Sequence, residues 1–150
     1  MESIQNVMTR FSVLMVEDDN ADVLSFKEMM IGLKNAEYPQ VTVGVCHTIL
    51  EAKRALLEGG FDLILLDIRL PDNEDFEGLK SLVLEFPTVP IVIHSGIYSA
   101  RRAAEAIALG AQDYVVKGTM GQEDLVRTLV HAKIRHDALR RLHVLGDAVN

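Results

Sequence analysis

Short apolar runs alternate along this chain with longer amphipathic stretches, and no other feature of the sequence restricts the fold as much. The runs are Phe11–Val16, Val41–Cys46, Leu63–Leu66, Ile91–Ile93 and Tyr114–Val116. The first, third and fourth runs are apolar almost without a break, which is typical of parallel strands that are covered on both faces. The second run, VTVGVC, alternates Val with smaller or polar residues, so we predict that it forms an edge strand.

The stretches between the runs have the periodicity of helices. In the first two of them, apolar residues recur at helical spacing, at positions 23, 26, 30 and 33 and at positions 49, 52, 56 and 57. Thr48 with Glu51 forms a capping box before the second helix, and Gly59 is placed to end it. Thr119 with Gln122 is a similar signal for the start of the fifth helix. Five strands that alternate with five helices predict an α/β fold, a doubly wound parallel sheet with right-handed crossovers.

Length and composition exclude several classes of protein. The 150 residues have the size of one domain, which we place over residues 1–150, with a core of about 11–133 and a C-terminal helical extension of about 134–146. The formal net charge of −7 argues against direct nucleic-acid binding, which relies on clustered Lys and Arg. The apolar runs are too short to span a membrane. The single cysteine, Cys46, has no second thiol for a disulfide or a zinc site, and we expect a cytoplasmic protein.

Polar side chains stand where the predicted strands end. They are Glu17, Asp18 and Asp19 after the first strand, Asp67 after the third, Ser95 after the fourth and Lys117 after the fifth. An open parallel sheet binds its ligands beyond the carboxyl ends of its strands, so we expect these groups to lie close together. Clustered carboxylates repel one another unless a cation lies among them. Oxygen ligands without a nearby His or Cys favour Mg2+ over zinc.

Four segments of the chain resemble the signature segments of bacterial response-regulator receiver domains, in the same order. They are VLMVEDDNAD, LILLDIRLPD, IVIHSG and GAQDYVVKG. The resemblance extends from Phe11 to Lys117 and implies a five-stranded sheet in the flavodoxin-like order 2-1-3-4-5. It also implies a signalling protein rather than an enzyme. Such a protein accepts a phosphoryl group from a sensor histidine kinase or a phosphotransfer protein, with Mg2+ as its cofactor.

The resemblance implies a metal site around the end of the third strand. Asp67 corresponds to the phosphoryl acceptor of the family and to one of its metal ligands. Glu17 and Asp18 correspond to the acid pair that binds the same ion, and the backbone carbonyl of Arg69 corresponds to a further ligand. This assignment suits the chemistry, because phosphoryl transfer depends on positioning and charge neutralisation more than on covalent help from the protein.

Three further positions match family residues that act on the phosphoryl group or respond to it. Ser95 corresponds to the hydroxyl that binds one phosphoryl oxygen, and Lys117 corresponds to the amine that neutralises another. Tyr114 corresponds to an aromatic residue that moves together with the hydroxyl as a two-state switch. The resemblance therefore gives Asp67, Ser95 and Lys117 as the catalytic residues, and Ser95 and Tyr114 as the switch.

The chain departs from the family pattern in two places. Lys117 is followed by Gly118, where receivers commonly have a proline after a cis bond, so the loop must reach its geometry in another way. After Pro71, the loop DNEDFEG delays its glycine by about three places and adds acidic residues near Asp67. We interpret this segment as a solvated acidic loop.

Other readings stay open for some of these residues and for the function. Asp62 is a competing acceptor, but it enters its strand rather than leaving it, so we expect it to be solvated or to cap the backbone. His94 points away from the face that its neighbour Ser95 uses, so we expect it to be packed or partly exposed. Two other functions remain. One is a receiver-like interaction module that works without phosphorylation, and the other is an enzyme on the same sheet, such as a flavin carrier or an aspartate-based phosphatase.

The last helical pattern is longer than a cover for the sheet requires. It runs from about Gln122 to about Leu145, which is about 36 Å at 1.5 Å per residue. Apolar residues continue along one stripe of it, at positions 126, 130, 134, 138, 142 and 145. An apolar stripe beyond the domain is costly if it stays in water, so we expect a homodimer formed through this helix and its neighbours.

Overall fold

The computed structural model describes residues 9–149 of the chain, with side chains through residue 146. Five strands and five helices alternate in this part of the chain. In order they are β1 (Arg10–Val16), α1 (Asn20–Gly32), β2 (Gln40–Cys46), α2 (Ile49–Glu58), β3 (Leu63–Leu66), α3 (Glu77–Glu85), β4 (Ile91–Ser95), α4 (Ala100–Ala108), β5 (Asp113–Val116) and α5 (Gln122–Val149). The predicted α/β alternation is confirmed, and each strand coincides with one of the apolar runs to within two residues at either end.

All five strands are parallel and form one sheet in the order β2-β1-β3-β4-β5. This is the doubly wound order that the resemblance implied, and it is confirmed. β3 lies in the middle of the sheet, and each of its four residues is buried because helices cover both faces. β2 lies at the edge, as its alternating pattern predicted, and six of its seven residues are at least partly exposed.

The sheet separates two apolar cores. Side chains alternate along each strand, so neighbours such as Leu65 and Leu66 point to opposite faces. Leu66 packs with α2, α3 and α4 in one core, whereas Leu65 packs with α1 and α5 in the other. Each fully buried Leu of this kind stabilises the fold by about 1.5–3 kcal/mol. Because both faces are covered in this way, the strand ends and their loops are the parts of the sheet that a ligand can reach.

A capping interaction fixes the start of α2, whereas the one predicted for α5 is not made. Thr48 Oγ1 accepts a hydrogen bond from Glu51 N at 3.1 Å, as the predicted capping box requires. The carboxylate of Glu51 accepts from His47 N at 2.8 Å, one residue before the cap. The predicted opening of α5 by Thr119 is wrong. Its hydroxyl donates to a carbonyl oxygen at the end of β5 at 2.7 Å, and the helix begins only at Gln122.

Helix α5 is longer than the sequence predicted and extends past the sheet. Its first half packs on the sheet, where Val130 is buried. Farther along, Arg135 donates to Gln112 O at 3.2 Å and Arg140 donates to Pro87 O at 3.1 Å. These bonds hold the helix against the loops that lead into β4 and β5. Within residues 9–149, none of the helices is both long enough and apolar enough to cross a membrane.

His94 is a buried imidazole on β4, as predicted. It is 8% exposed, and its ring centroid lies 6.2 Å from that of Phe26. Its Nδ1 has no hydrogen-bond partner within the part of the chain that the structure describes. Burial lowers the pKa of His94 to about 4, and the positive charge of Lys117 acts in the same direction. The imidazole is therefore neutral in the folded protein at pH 7.

This lowered pKa predicts that His94 makes the folded state sensitive to acid. Below its ordinary pKa of 6.5 the unfolded chain binds a proton at His94, whereas the folded chain does so only near pH 4. Stability is therefore lost as the pH falls through this range, by roughly 2 kcal/mol at pH 5. We expect His94→Leu to lose about 2 kcal/mol less than the wild type between pH 7 and pH 5, measured by urea unfolding. Equal losses in the two proteins would show that another group causes the acid sensitivity.

Candidate functional site

The carboxyl ends of the strands surround an open cavity of about 570 Å³. Its lining contains every residue predicted to bind metal or to act in catalysis: Glu17, Asp18, Asp67, Arg69, Ser95 and Lys117. The fold brings them together because parallel strands end at the same edge of the sheet, where the loops after β1, β3, β4 and β5 meet. The remaining predicted residue, Tyr114, lines a neighbouring cavity instead.

The ammonium group of Lys117 lies at the centre of the site. Its Nζ is 2.6 Å from Glu17 Oε1, 2.8 Å from Asp22 Oδ2 and 2.9 Å from Asp67 Oδ2. Residues 9–149 contain no cis peptide bond, and Gly118 has a φ of 76°, which residues with a side chain rarely adopt. The glycine that stands in place of the family's proline thus gives the loop its turn by a different backbone conformation.

The buried charges of the site shift one another's pKa. Burial raises the pKa of Glu17 to about 7, and the neighbouring carboxyl group of Asp67 adds to this shift. Burial also opposes the ionisation of Asp67, but hydrogen bonds from Glu17, Lys117 and the Arg69 N–H outweigh it, so the pKa of Asp67 is lowered. Burial acts against the charge of Lys117 as well, yet its carboxylate partners hold its pKa above the ordinary value. Asp67 therefore stays ionised.

Asp67 is held at the end of β3 by both its backbone and its side chain. Its N–H donates to Val16 O at 3.0 Å, which continues the pairing of β1 with β3 beyond the last residue of the strand. Its Oδ1 accepts a hydrogen bond from Arg69 N at 3.0 Å, and its Oδ2 accepts one from Lys117 Nζ at 2.9 Å. The carboxylate is thus fixed in one orientation on the lining of the cavity.

The acidic residues that follow β1 have separate tasks. Asp18 is exposed at the cavity. Asp19 accepts hydrogen bonds from Ala21 N and Asp22 N at 2.8 and 3.0 Å and so caps α1. Sequence reasoning did not include Asp22 among the site residues, although its carboxylate contacts the lysine. Its place in the first turn of α1 is a general preference of acidic residues, so this position alone does not point to the site.

The oxygen donors of the site suit a hard divalent cation. Glu17, Asp18 and Asp67 supply carboxylates, and Glu17 Oε1 is buried without a well-aligned hydrogen bond even though the ammonium lies 2.6 Å away. Among the side chains that the structure describes, those of residues 9–146, no three of His, Cys, Asp or Glu converge closely enough to hold a metal ion as they stand. The donor set therefore fits Mg2+ in its chemistry, while Lys117 supplies the positive charge among the carboxylates in this structure.

Ser95 and Tyr114 hold the same stretch of backbone. Ser95 Oγ accepts a hydrogen bond from Ile97 N at 3.3 Å, and the Tyr114 hydroxyl donates to Ile97 O at 2.8 Å. Both side chains line a second cavity of about 380 Å³, between the β3–α3 and β4–α4 loops. The predicted switch residues are thus connected through Ile97, and the Ser95 hydroxyl is engaged with this backbone rather than with Asp67.

The acidic residues of the loop after β3 are exposed, as the sequence predicted, and two of them are also bonded to neighbouring elements. Asp72 accepts hydrogen bonds from Ile49 N at 2.8 Å and Leu50 N at 3.1 Å, the first N–H groups of α2. Asp75 pairs with Arg102 of α4 at 2.5 Å. The loop therefore connects β3 to α2 and α4.

Asp62, the competing acceptor, lies at the amino-terminal ends of the strands, opposite the cavity. Its Oδ2 accepts a hydrogen bond from Ser12 N at 2.7 Å, and its own N–H donates to Ser12 O at 2.7 Å. The expectation that it caps the backbone is confirmed. Because it precedes β3 whereas Asp67 follows it, the length of the strand separates Asp62 from the cavity.

Comparison with known proteins places the chain in a family. A family model for the response regulator receiver domain matches residues 13–130. The cell cycle response regulator CtrA of Brucella ovis is 31% identical to the chain over 123 residues, which are 82% of this chain and 50% of CtrA. The chain thus spans about half the length of the curated relatives that it matches.

Solved structures share the fold at lower sequence identity. A CheY-like response regulator receiver domain from Methanospirillum hungatei matches with a TM-score of 0.69 and 24% identity, over 87% of this chain and 98% of that one. A receiver domain from Clostridium thermocellum gives 0.68 and 19%, over 86% and 98%. The Mn2+-bound form of response regulator Rcp1 gives 0.61 and 21%, over 78% and 87%. With a family match over residues 13–130 of 150, the chain belongs to the response regulator receiver domain family.

Proposed function

We propose that this receiver domain is a phosphorylation-dependent signalling switch whose acceptor is Asp67. The donor is the phosphohistidine of a sensor histidine kinase or of a phosphotransfer protein. The observation that supports this most directly is the state of Asp67, an ionised carboxylate after the central strand that has Lys117 bound to one of its oxygens. Phosphoryl transfer requires a nucleophile in a fixed position and nearby positive charge, and Asp67 has both.

The proposed reaction exchanges one bond to phosphorus for another. A carboxylate oxygen of Asp67 attacks the phosphorus atom in line with the donor imidazole, which carries a proton on its other ring nitrogen. The P–O bond forms as the P–N bond breaks, the electron pair of the broken bond stays on nitrogen, and neutral histidine leaves. Hydrogen bonds from the Arg69 N–H and from Lys117 hold the carboxylate in orientation before the donor arrives, which lowers the entropic cost of the step.

We propose Mg2+ as the cofactor of this reaction. Its ligands are the side chains of Glu17, Asp18 and Asp67 and the backbone carbonyl of Arg69. When bound, Mg2+ neutralises charge on the phosphoryl oxygens during transfer. The oxygen-only donor set supports this proposal, as does the Mn2+-bound form of Rcp1, which shares the fold. Lys117 offsets the repulsion between Glu17 and Asp67 while no metal is bound.

Ser95 and Tyr114 form the proposed switch. A phosphoryl group on Asp67 offers the Ser95 hydroxyl a charged acceptor, in place of its long 3.3 Å contact with Ile97 N. Tyr114 is coupled to the same loop through its hydrogen bond to Ile97 O. A ligand shifts a two-state equilibrium only by its different affinities for the two states, and the new hydrogen bond supplies that difference.

The proposed role of the protein is confined to signalling. It promotes its own phosphorylation and dephosphorylation rather than the turnover of another substrate. Its net charge of −7 argues against direct contact with nucleic acid. We place it in the cytoplasm, as one receiver domain over residues 1–150 with a core of about 11–133 and an extension of about 134–146.

A receiver-like module that works without phosphorylation is the alternative, and labelling of Asp67 distinguishes the two.

A small phosphodonor with Mg2+ is expected to add one phosphoryl group to the protein, at Asp67. Asp67→Asn removes the attacking carboxylate, so intact-mass measurement should detect no addition to that variant. Asp62→Asn is the matched control, because it removes a carboxylate from the opposite edge of the sheet, and it should be labelled like the wild type. Wild-type labelling of Asp67→Asn, or an unlabelled wild type, would contradict the proposal.

Ser95→Ala is expected to separate phosphorylation from the response of the β4–α4 loop. Asp67 keeps its other partners in this variant and is still labelled, but the loop loses the hydroxyl through which the phosphoryl group acts. The amide resonance of Ile97 should therefore shift on phosphorylation in the wild type and stay in place in Ser95→Ala. Ser99→Ala, which removes the cap of α4, is the control and should keep the shift. A full shift in Ser95→Ala would remove Ser95 from the switch.

We also propose a homodimer formed through the last turns of α5. Leu139, Leu142 and Leu145 are 59–65% exposed, and their spacing of three residues places them along one side of the helix. An exposed apolar stripe of this kind is costly in water. A second copy of the same helix offers a matching surface, and a two-fold axis lets each copy cover the other.

Sedimentation velocity tests this dimer. The wild type is expected to sediment as a dimer at high micromolar concentration, and the double variant Leu142→Glu with Leu145→Glu as a monomer, because carboxylates cannot be buried in the contact without cost. Leu57→Glu is the matched control, since Leu57 is 78% exposed but lies on α2, and this variant should remain a dimer. A wild type that is monomeric both with and without phosphorylation would rule out self-association.

A further inference from the structure

The side-chain amide of Asn73 connects the backbone after the acceptor to the start of α3. Its Nδ2 donates to Ile68 O at 2.6 Å and to Asp75 O at 2.9 Å, and its Oδ1 accepts from Gly78 N at 2.7 Å. A primary amide has two N–H donors and one carbonyl acceptor. Asn73 therefore uses both of its donors and its acceptor oxygen within one loop, and no other side chain of this length offers the same set of groups.

The bond to Ile68 restrains the backbone between the acceptor and the carbonyl that we propose as a metal ligand. Ile68 lies directly between Asp67 and Arg69. Its carbonyl shares one rigid peptide plane with the N–H of Arg69, which donates to Asp67 Oδ1 at 3.0 Å. Holding the carbonyl therefore holds that N–H, and it also limits the directions in which the next carbonyl, that of Arg69, can point.

The start of α3 is built around the same amide. Phe76 precedes the helix but makes no side-chain hydrogen bond to it, so Asn73 is the residue that satisfies Gly78 N. A Cβ on Gly78 would lie 2.6 Å from Asn73 Oδ1 and 2.6 Å from Ile49 Cδ1. Only a glycine lets the amide approach the helix this closely. The late glycine of the loop, which departs from the family pattern, thus serves the contact with Asn73.

The rest of the loop is braced against α4. Asp75 has a φ of 56°, in the left-handed region that residues other than glycine rarely adopt. Two contacts hold it there, namely the bond from Asn73 to its carbonyl and the ion pair of its carboxylate with Arg102. The guanidinium of Arg102 also lies over the ring of Phe76, 4.3 Å from its centroid. Asn73 therefore acts from a fixed support rather than from a free loop.

We propose that Asn73 is a positioning residue for phosphoryl transfer, which sets the Mg2+ affinity of the site by holding the backbone from Ile68 to Arg69. The inference rests on the proposed function, and Asn73 acts through the Arg69 carbonyl without touching the ion. Removing groups that orient metal ligands typically costs about 10–100-fold in metal affinity. Once Mg2+ is saturating, the chemical step should be nearly normal, because Asp67 keeps its bond to Lys117.

The test compares Asn73→Asp with the wild type. Aspartate keeps the acceptor for Gly78 N, but it has no N–H for Ile68 O or Asp75 O, and its charge faces these two carbonyl oxygens. The Kd for Mg2+, measured by titration calorimetry, is expected to rise about tenfold. The rate of labelling by a small phosphodonor should fall at limiting Mg2+ and return to within about twofold of the wild type at saturating Mg2+.

Two further variants separate positioning from folding. Asn73→Ser is a smaller change that keeps the test valid where Asn73→Asp does not fold, and its Kd for Mg2+ should also rise. Asp72→Asn is the matched control, because it removes a charge from the neighbouring position and weakens the cap of α2 but leaves the bond to Ile68 intact. Its Kd for Mg2+ should stay within about twofold of the wild type.

Each outcome decides the inference. An unchanged Mg2+ Kd in the folded Asn73 variants overturns it and leaves the proposed function intact, since the wild type still binds Mg2+ and is labelled. An equal rise in Asp72→Asn overturns it too, because the effect then belongs to the loop as a whole. A labelling rate that stays low at saturating Mg2+ excludes an action through metal affinity. A wild type that neither binds Mg2+ nor becomes labelled overturns the proposed function, and this inference with it.

Discussion

Three carboxylates at the carboxyl edge of the sheet share one ammonium group. Glu17 follows β1, Asp22 lies in α1 and Asp67 follows β3, so Lys117 joins three separate elements to the end of β5. Two buried carboxyl groups face each other here, and the pKa of one of them, Glu17, is raised to about 7 even with the lysine beside it. Hydrogen bonds from Glu17, from Lys117 and from the Arg69 N–H keep Asp67 ionised despite its burial. The sheet order, the two cores and the turn at Gly118 all serve to bring this amine to that edge.

A buried ion cluster is a weak source of stability, because the cost of removing charges from water offsets much of their attraction. The stability of this domain comes instead from the two apolar cores on either side of the sheet. The cluster is accordingly not what holds the domain together. It also affects its neighbourhood, since the charge of Lys117 adds to burial in keeping the His94 imidazole neutral.

The strands and their common edge could be predicted because the evidence for them is local. A run such as LILL is fully buried wherever it lies, and residues that follow parallel strands must meet at one edge. The part played by Asp22 could not be predicted in the same way, because its approach to Lys117 depends on how α1 packs against the sheet. Thr119 shows a second limit. Its hydroxyl can either cap a helix or bond to a strand carbonyl, and the sequence does not indicate which of the two bonds forms.

The loop after β3 shows a third limit of sequence reasoning. The late position of Gly78 was visible as a departure from the family pattern, but its reason was not. That reason is the contact with Asn73. Its side chain bonds to Ile68, five residues before it, and to Gly78, five residues after it. In the sequence Asn73 looks like any polar loop residue. Its importance depends on three partners that only the folded loop brings within reach.

Helix α5 connects the two ends of the sheet. Its 28 residues extend about 42 Å, and the sheet holds the first part of this length through Leu125, Leu129 and Val130. The bonds of Arg135 to Gln112 O and of Arg140 to Pro87 O then hold the middle of the helix against the loops that lead into β5 and β4. Since α5 begins five residues after Lys117, one rigid helix joins the loop that follows this lysine to the two loops at the amino-terminal ends of the strands.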